Sequence, residues 1–110
     1  MTAPLLGTPS ATELHVMTLN IRRDLGALAW PPADRWSVRR PRLTTLLRTE
    51  RPDVLGVQEA LPEQAAAVSA ALGPSFRRVG HGRLPGPRGE GCPLFYDADR
   101  LELRTWRQIA

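Results

Sequence analysis

The chain has 110 residues, 42% hydrophobic and 24% charged, which makes it one globular domain at most; a domain of this size buries roughly two-thirds of the surface its unfolded chain exposes. The net charge is +4 and all 15 basic residues are arginine; guanidinium groups fork onto phosphate, but here they are scattered along the chain, so charge alone does not establish nucleic-acid binding. A single cysteine, Cys92, excludes an intramolecular disulfide framework and a Cys-cluster metal site, and no stretch approaches the length of a membrane span.

Residues 1–12 are rich in Pro, Thr, Ser and Gly and are expected to form a flexible leader. They lack a positive n-region and a sustained apolar core, so no signal peptide is expected and a cytoplasmic location is the default. Leu14 to Ile21 is a strand candidate with Leu14, Val16 and Thr18 on one face and His15, Met17, Leu19 and Ile21 on the other. Apolar residues on both faces predict a central strand covered on both sides.

Gly26, Pro31 and Pro32 make Arg22 to Trp36 a loop. Ser37 is the expected cap of a helix with Pro41 in its first turn and Leu43, Leu46 and Leu47 on its inner face, ended by Pro52. Asp53 to Glu59 is a second buried strand. Pro62 opens a second helix with Ala65, Val68 and Leu72 as its stripe, and Gly73-Pro74 stops it. Strands follow at Ser75 to Val79 and Glu90 to Tyr96, separated by the Gly80–Gly89 loop. Asp97-Ala98-Asp99 makes a turn, and Leu101 to Ile109 is expected to return as a hairpin partner. The order β-α-β-α-β-β-β belongs to the α/β class. The chain stops within an apparent apolar strand, and such an unpaired edge suggests a piece of a larger fold.

A strand-helix-strand unit places its two strands parallel, so Asn20 and Glu59 fall at the C-terminal ends of neighbouring strands, the edge where open α/β sheets put ligands. A carboxylate and an amide there suit a hard cation such as Mg²⁺, which takes one or two carboxylates and keeps several waters. The ordinary alternative is a turn bond for Asn20 and a helix N-terminal contact for Glu59.

Val16-Met17-Thr18-Leu19-Asn20-Ile21-Arg22 resembles the opening Asn motif of the endonuclease/exonuclease/phosphatase superfamily, and Pro52-Asp53-Val54-Leu55-Gly56-Val57-Gln58-Glu59-Ala60 resembles its Glu motif. Trp36-x-x-Arg39 lies between them, as in many bacterial members. Gly80-His81-Gly82-Arg83 followed by Gly89-Glu90-Gly91-Cys92-Pro93-Leu94-Phe95-Tyr96 is similar to the third block of that branch. The resemblance implies an α/β fold, the N-terminal half of a four-layer, DNase I-like sandwich of two mixed β-sheets flanked by helices. Residues 13–110 would then be a partial domain, truncated at its C-terminus.

It further implies that Glu59 is a ligand of Mg²⁺ or Mn²⁺. Asn20 would position the phosphate or a water held by the metal, and Glu90 would orient a catalytic histidine. Arg22 and Arg39 are candidate phosphate-facing residues. The implied reaction is metal-dependent hydrolysis of a phosphoric ester, with nucleic acid among the candidate substrates. The family's later Thr-His, Asp-x-Asn and Ser-Asp-His segments do not occur in this sequence, and His15 and His81 match no catalytic position. The 110 residues alone are therefore expected to be an incomplete, inactive portion of the enzyme. The competing reading is a non-catalytic arginine-rich module that binds nucleic acid or a partner protein. Cys92 is expected to be a small buried hydrophobe, and Trp30, Trp36 and Trp106 to pack in the core or loops.

Overall fold

In the computed structural model, residues 3–7, 9–82 and 89–109 are described. Arg83, most of the loop before Gly89 and the first residues of the leader lie outside that set. Four strands, β1 (Val16–Asn20), β2 (Val54–Gln58), β3 (Phe76–Val79) and β4 (Leu94–Asp97), form one mixed sheet in the order β1-β2-β4-β3. β1 and β2 are parallel, as the α-helical crossover between them requires, while β4 runs antiparallel to both β2 and β3.

Helix α1 (Trp36–Glu50) begins one residue before the expected cap: Arg35 holds the extended cap position, no side chain caps the helix, and Ser37 sits inside the first turn. Pro41 therefore falls in the second turn rather than the first. The helix ends as its sequence predicts. Arg51 turns left-handed at φ 43°, its N–H bonds the Leu47 carbonyl at 2.9 Å, and Pro52 cannot continue the helix. Helix α2 (Pro62–Leu72) starts on Pro62 at its first position and ends at Gly73, whose φ of 100° suits a residue without Cβ.

The core lies between the two helices and one face of the sheet. Leu47 from α1, Leu55 and Val57 from β2, Val68 and Leu72 from α2 and Phe95 from β4 are completely buried, with Ala65 and Phe76 beside them. Each large side chain so buried contributes about 1.5–3 kcal/mol through removal of apolar surface from water. The expected inner residues of α2 are all in this cluster; of those on α1, Leu47 is buried and Leu43 and Leu46 are half-buried.

The opposite face of the sheet is open. The registers put Val16, Val54 and Tyr96 in one cross-strand row and Thr18, Gly56, Leu94 and Val79 in the next. Val16 is 61% exposed. β1 is thus an edge strand covered on one face, not the central, doubly covered strand expected. Among the described residues, the helices and the sheet make two layers.

The last third of the chain departs furthest from expectation. Before β4, the segment from Glu90 makes an isolated antiparallel bridge, Ala60 to Gly91, and the Pro93 carbonyl accepts the Val57 N–H at 3.1 Å, but Pro93 has no N–H to return the bond and continue the ladder. The turn at Asp97–Asp99 forms, with the Arg100 N–H on the Asp97 carbonyl at 3.1 Å. Leu101 to Ile109 is not a strand. β4 already has β2 on one edge and β3 on the other, so the position of a hairpin partner is taken. The tail is instead tied by Gln108, whose Oε1 accepts the His81 N–H at 3.0 Å and whose Nε2 donates to the His81 carbonyl at 3.3 Å. Cys92 is exposed rather than buried, since it precedes the strand in this irregular stretch.

The leader is also more tied down than its composition suggests. The N–H groups of Leu5 and Leu6 donate to the two carboxylate oxygens of buried Glu50, at 2.6 and 3.2 Å. Arg100 reaches the carbonyls of Ser10 (3.2 Å) and Glu13 (2.6 Å), and its Nε meets Asp53 Oδ1 at 2.8 Å. Asp53 Oδ2 accepts the N–H of His15, which is itself buried, as a structural histidine should be. No described helix is long and apolar enough to cross a membrane.

Candidate active site

The parallel pairing of β1 and β2 aligns their C-terminal ends, with Asn20 opposite Gln58. Glu59 follows Gln58 directly, and Ala60 is bridged to Gly91, the neighbour of Glu90. Asn20, Glu59 and Glu90, the three residues singled out for chemistry, are thus brought to one edge of the sheet.

The backbone at this edge is unusual. Glu59 has φ of 62° and Arg22 φ of 56°, and neither is glycine. A side-chain-bearing residue in the left-handed region costs roughly 1–2 kcal/mol, so two such residues at adjacent strand ends are held by their surroundings. Around Arg22 the restraints are visible. Its N–H donates to Asn20 Oδ1 at 2.9 Å. Its carbonyl accepts from Gln64 Nε2 at 2.9 Å and from Arg39 Nη2 at 3.1 Å. Since the Asn20 oxygen is committed to this turn, its amide NH₂ is the donor group that remains for other partners.

Glu59 is half-buried. Glu90 has a side chain 27% exposed and lies 3.7 Å from Arg23 Nη1. The strand-end Gln58 donates to Thr18 Oγ1 at 3.1 Å on the open face. Gly91 is forced by close packing: a Cβ there would come within 2.7 Å of the His81 carbonyl oxygen. A half-open cleft of about 240 Å³ adjoins this edge, bounded by Ala60, Pro62, Arg78, His81, Gly82 and Gly91.

The two candidate phosphate-facing arginines are placed differently from one another. Arg22 pairs with Asp34 Oδ2 at 2.6 Å, with its side chain 45% exposed. Arg39 is part of the scaffold. Its Nε donates to the Asp34 carbonyl at 2.7 Å, Nη1 to the Ile21 carbonyl and Nη2 to that of Arg22, and its guanidinium lies over the Trp36 ring. Each nitrogen of Arg39 makes one bond to the loop backbone, so its guanidinium is held as part of the scaffold. Trp36 packs against the core, whereas Trp30 and Trp106 are exposed. Gln64, completely buried, is the residue of the site that the sequence reading did not single out. Its one local signal is its place at the third position of α2, where a Gln side chain can reach back to the helix start.

The sequence profile of the Endonuclease/Exonuclease/phosphatase family matches residues 17–107. The chain belongs to that family. Among solved structures it resembles the mannosyl-6-phosphatase of Bacteroides thetaiotaomicron VPI-5482, with 30% identity over 79% of this chain and 32% of that one and a TM-score of 0.69. It likewise resembles an endonuclease/exonuclease/phosphatase from Bacteroides vulgatus, 32% identical over 78% of this chain and 32% of that one, with a TM-score of 0.67. ANGEL2, a 2',3'-cyclic phosphatase, shares the fold at a TM-score of 0.64 with 20% identity, over 84% of this chain and 29% of its own. No curated protein sequence matches. The chain spans about a third of the length of the family structures it matches, and the observed mixed sheet with helices is the corresponding part of their α/β fold.

Proposed function

We propose that this chain is the N-terminal portion of a metal-dependent phosphoric-ester hydrolase, in which Glu59 is a ligand of Mg²⁺ or Mn²⁺ and Asn20 and Glu90 complete the near side of the site. The observation that carries the reading is the Glu59 corner. A carboxylate occupies a left-handed position where glycine would be easier, at the C-terminal edge of a parallel strand pair and beside the Asn20 strand end. Family membership and the phosphatase named among the structural relatives at 30% identity support the same chemistry.

The Glu59 carboxylate fits a hard cation in kind, since Mg²⁺ takes one or two carboxylates and keeps several waters. The donors fall short in number: among the described residues no group of three or more His, Cys, Asp or Glu is placed to hold a metal. A bound cation would supply charge stabilisation to the developing oxyanion of the ester. The chain's own residues do the rest of the near-side work. Glu59 anchors the cation, Asn20 offers its amide N–H groups to a phosphoryl oxygen, and Glu90 accepts a hydrogen bond from a donor supplied by the remainder of the domain. The open face of the sheet, with Val16, Val54, Leu94 and Tyr96, is where the second sheet of a four-layer sandwich would pack. We therefore expect little or no turnover by the 110 residues alone.

The test is Mn²⁺ titration of the isotopically labelled chain, following paramagnetic broadening of backbone amides. Broadening centred on Glu59 and Asn20, and abolished by Glu59→Gln, supports the assignment. Identical broadening in the variant would remove Glu59 from the site.

A further inference from the structure

Two corners have to be held in fixed relation if Asn20 and Glu59 act on one substrate, and one side chain touches the backbone of both. Gln64 is completely buried. Its Oε1 accepts the Leu61 N–H at 3.1 Å, two residues beyond Glu59, and the Asp24 N–H at 3.1 Å. Its Nε2 donates to the Arg22 carbonyl at 2.9 Å. That carbonyl belongs to the residue whose N–H bonds Asn20 Oδ1. We propose that Gln64 is a positioning residue that sets the Asn20 corner against the Glu59 corner, with Arg39 as a second prong on the Arg22 carbonyl. The inference rests on the reading of Asn20 and Glu59 as site residues.

A simple helix cap explains only part of this arrangement. Capping α2 needs the single bond to Leu61. It does not need a donor aimed at a carbonyl 42 positions away in sequence, nor an acceptor shared with Asp24. All three bonds are made by one amide buried out of water, where an unsatisfied donor or acceptor is costly. The left-handed φ of Arg22 turns its N–H toward Asn20 while its carbonyl points to the two prongs. Asn20 is thereby oriented through Arg22 by residues that touch no substrate.

Gln64→Glu, read at a pH where the new carboxylate is ionised, isolates the idea, because the ionised group keeps the acceptor for Leu61 and Asp24 but offers no donor to Arg22, whereas a protonated carboxyl would restore one. The measurement is metal-free: amide hydrogen exchange and the Asn20 side-chain NH₂ resonances of the 110-residue chain. In Gln64→Glu the Arg22 amide should exchange about tenfold faster, the equivalent of one lost hydrogen bond. The Asn20 NH₂ signals should move, while Leu61, Leu55 and Val57 amides keep their protection. Gln64→Met, which removes all three bonds, should extend the faster exchange to Leu61 and Asp24. Asn20 signals unchanged in both variants, or protection falling evenly through the chain, would overturn the proposal. Should neither variant fold, Arg39→Lys is read in their place, with the Arg22 amide and Asn20 NH₂ signals judged the same way. Because no metal is present, a positive result alongside absent Mn²⁺ binding would sink the metal assignment and leave the coupling of the corners standing.

Discussion

At the scale of single residues, the candidate site residues lie at strand ends, and it is their placement that the sequence made legible. Asn20 and Glu59 were legible because a polar side chain closing an apolar run stands out, and parallel pairing then brings such ends together. Gln64 was not legible, since the partners that define it, Arg22 and Asp24, are brought near only by the folded loop. Arg39 was visible in sequence but assigned to phosphate; its three carbonyl partners come from a loop without periodicity. The same holds for other arginines. Arg22, Arg35, Arg77 and Arg100 likewise bond within the chain. The Glu59 corner yields a prediction. Glu59→Gly relieves the left-handed strain and adds unfolded-state freedom, for a net stabilisation of about 1 kcal/mol, whereas Glu59→Ala keeps the strain. Urea unfolding should rank Gly above wild type and Ala no higher than wild type, with Mn²⁺ broadening lost in both. A Gly variant no more stable than wild type would mean that the corner is not strained.

At the scale of elements, helices were easier to place than strands. Three of the four helix ends carry a proline or a positive-φ residue that acts through local geometry, Arg51-Pro52 after α1, Pro62 opening α2 and Gly73 closing it, while the start of α1 has none. Those three ends were therefore expected to within a residue or two. Strand partnership depends on which edges are free, a non-local fact, and so the expected strand at Leu101–Ile109 found its place beside β4 occupied by β3. A second link hidden from sequence is the buried Asp53, which joins the start of β2 to the leader through the His15 N–H and Arg100. The Asp53 carboxylate is 4% exposed and the Arg100 side chain 31%. Arg100→Met leaves the carboxylate in a dry site with only the His15 N–H as a described donor. Given the half-exposed arginine, the cost should be about 2 kcal/mol, below that of a fully buried pair. The variant should also be cleaved faster by protease near Ser10–Glu13, whose carbonyls lose their donor. Unchanged stability in urea would show that the pair contributes nothing beyond its desolvation cost.

At the scale of the whole molecule, the two faces of the sheet carry different information. The helix-covered face contains Leu55, Val57 and Phe95, all fully buried. The other face carries Val16, Leu94 and Tyr96 in the same strands, yet Val16 is 61% and Leu94 38% exposed. An alternation with apolar residues on both faces suits a strand covered twice, which is why the sequence pointed to a central strand and the described residues show an edge. Substitution with lysine separates the two faces. Leu55→Lys buries an unpaired charge and should abolish folding of the chain. Val16→Lys should change its stability by less than about 0.5 kcal/mol, the usual range for a surface site. It should also lower self-association in sedimentation, because the exposed row is a ready surface for another sheet. In a longer protein that includes the rest of the domain, the same Val16→Lys should become strongly destabilising, since there the face would be covered. Equal tolerance of Val16→Lys in both lengths would mean that no second layer packs on this face, and the half-sandwich reading would fall with it.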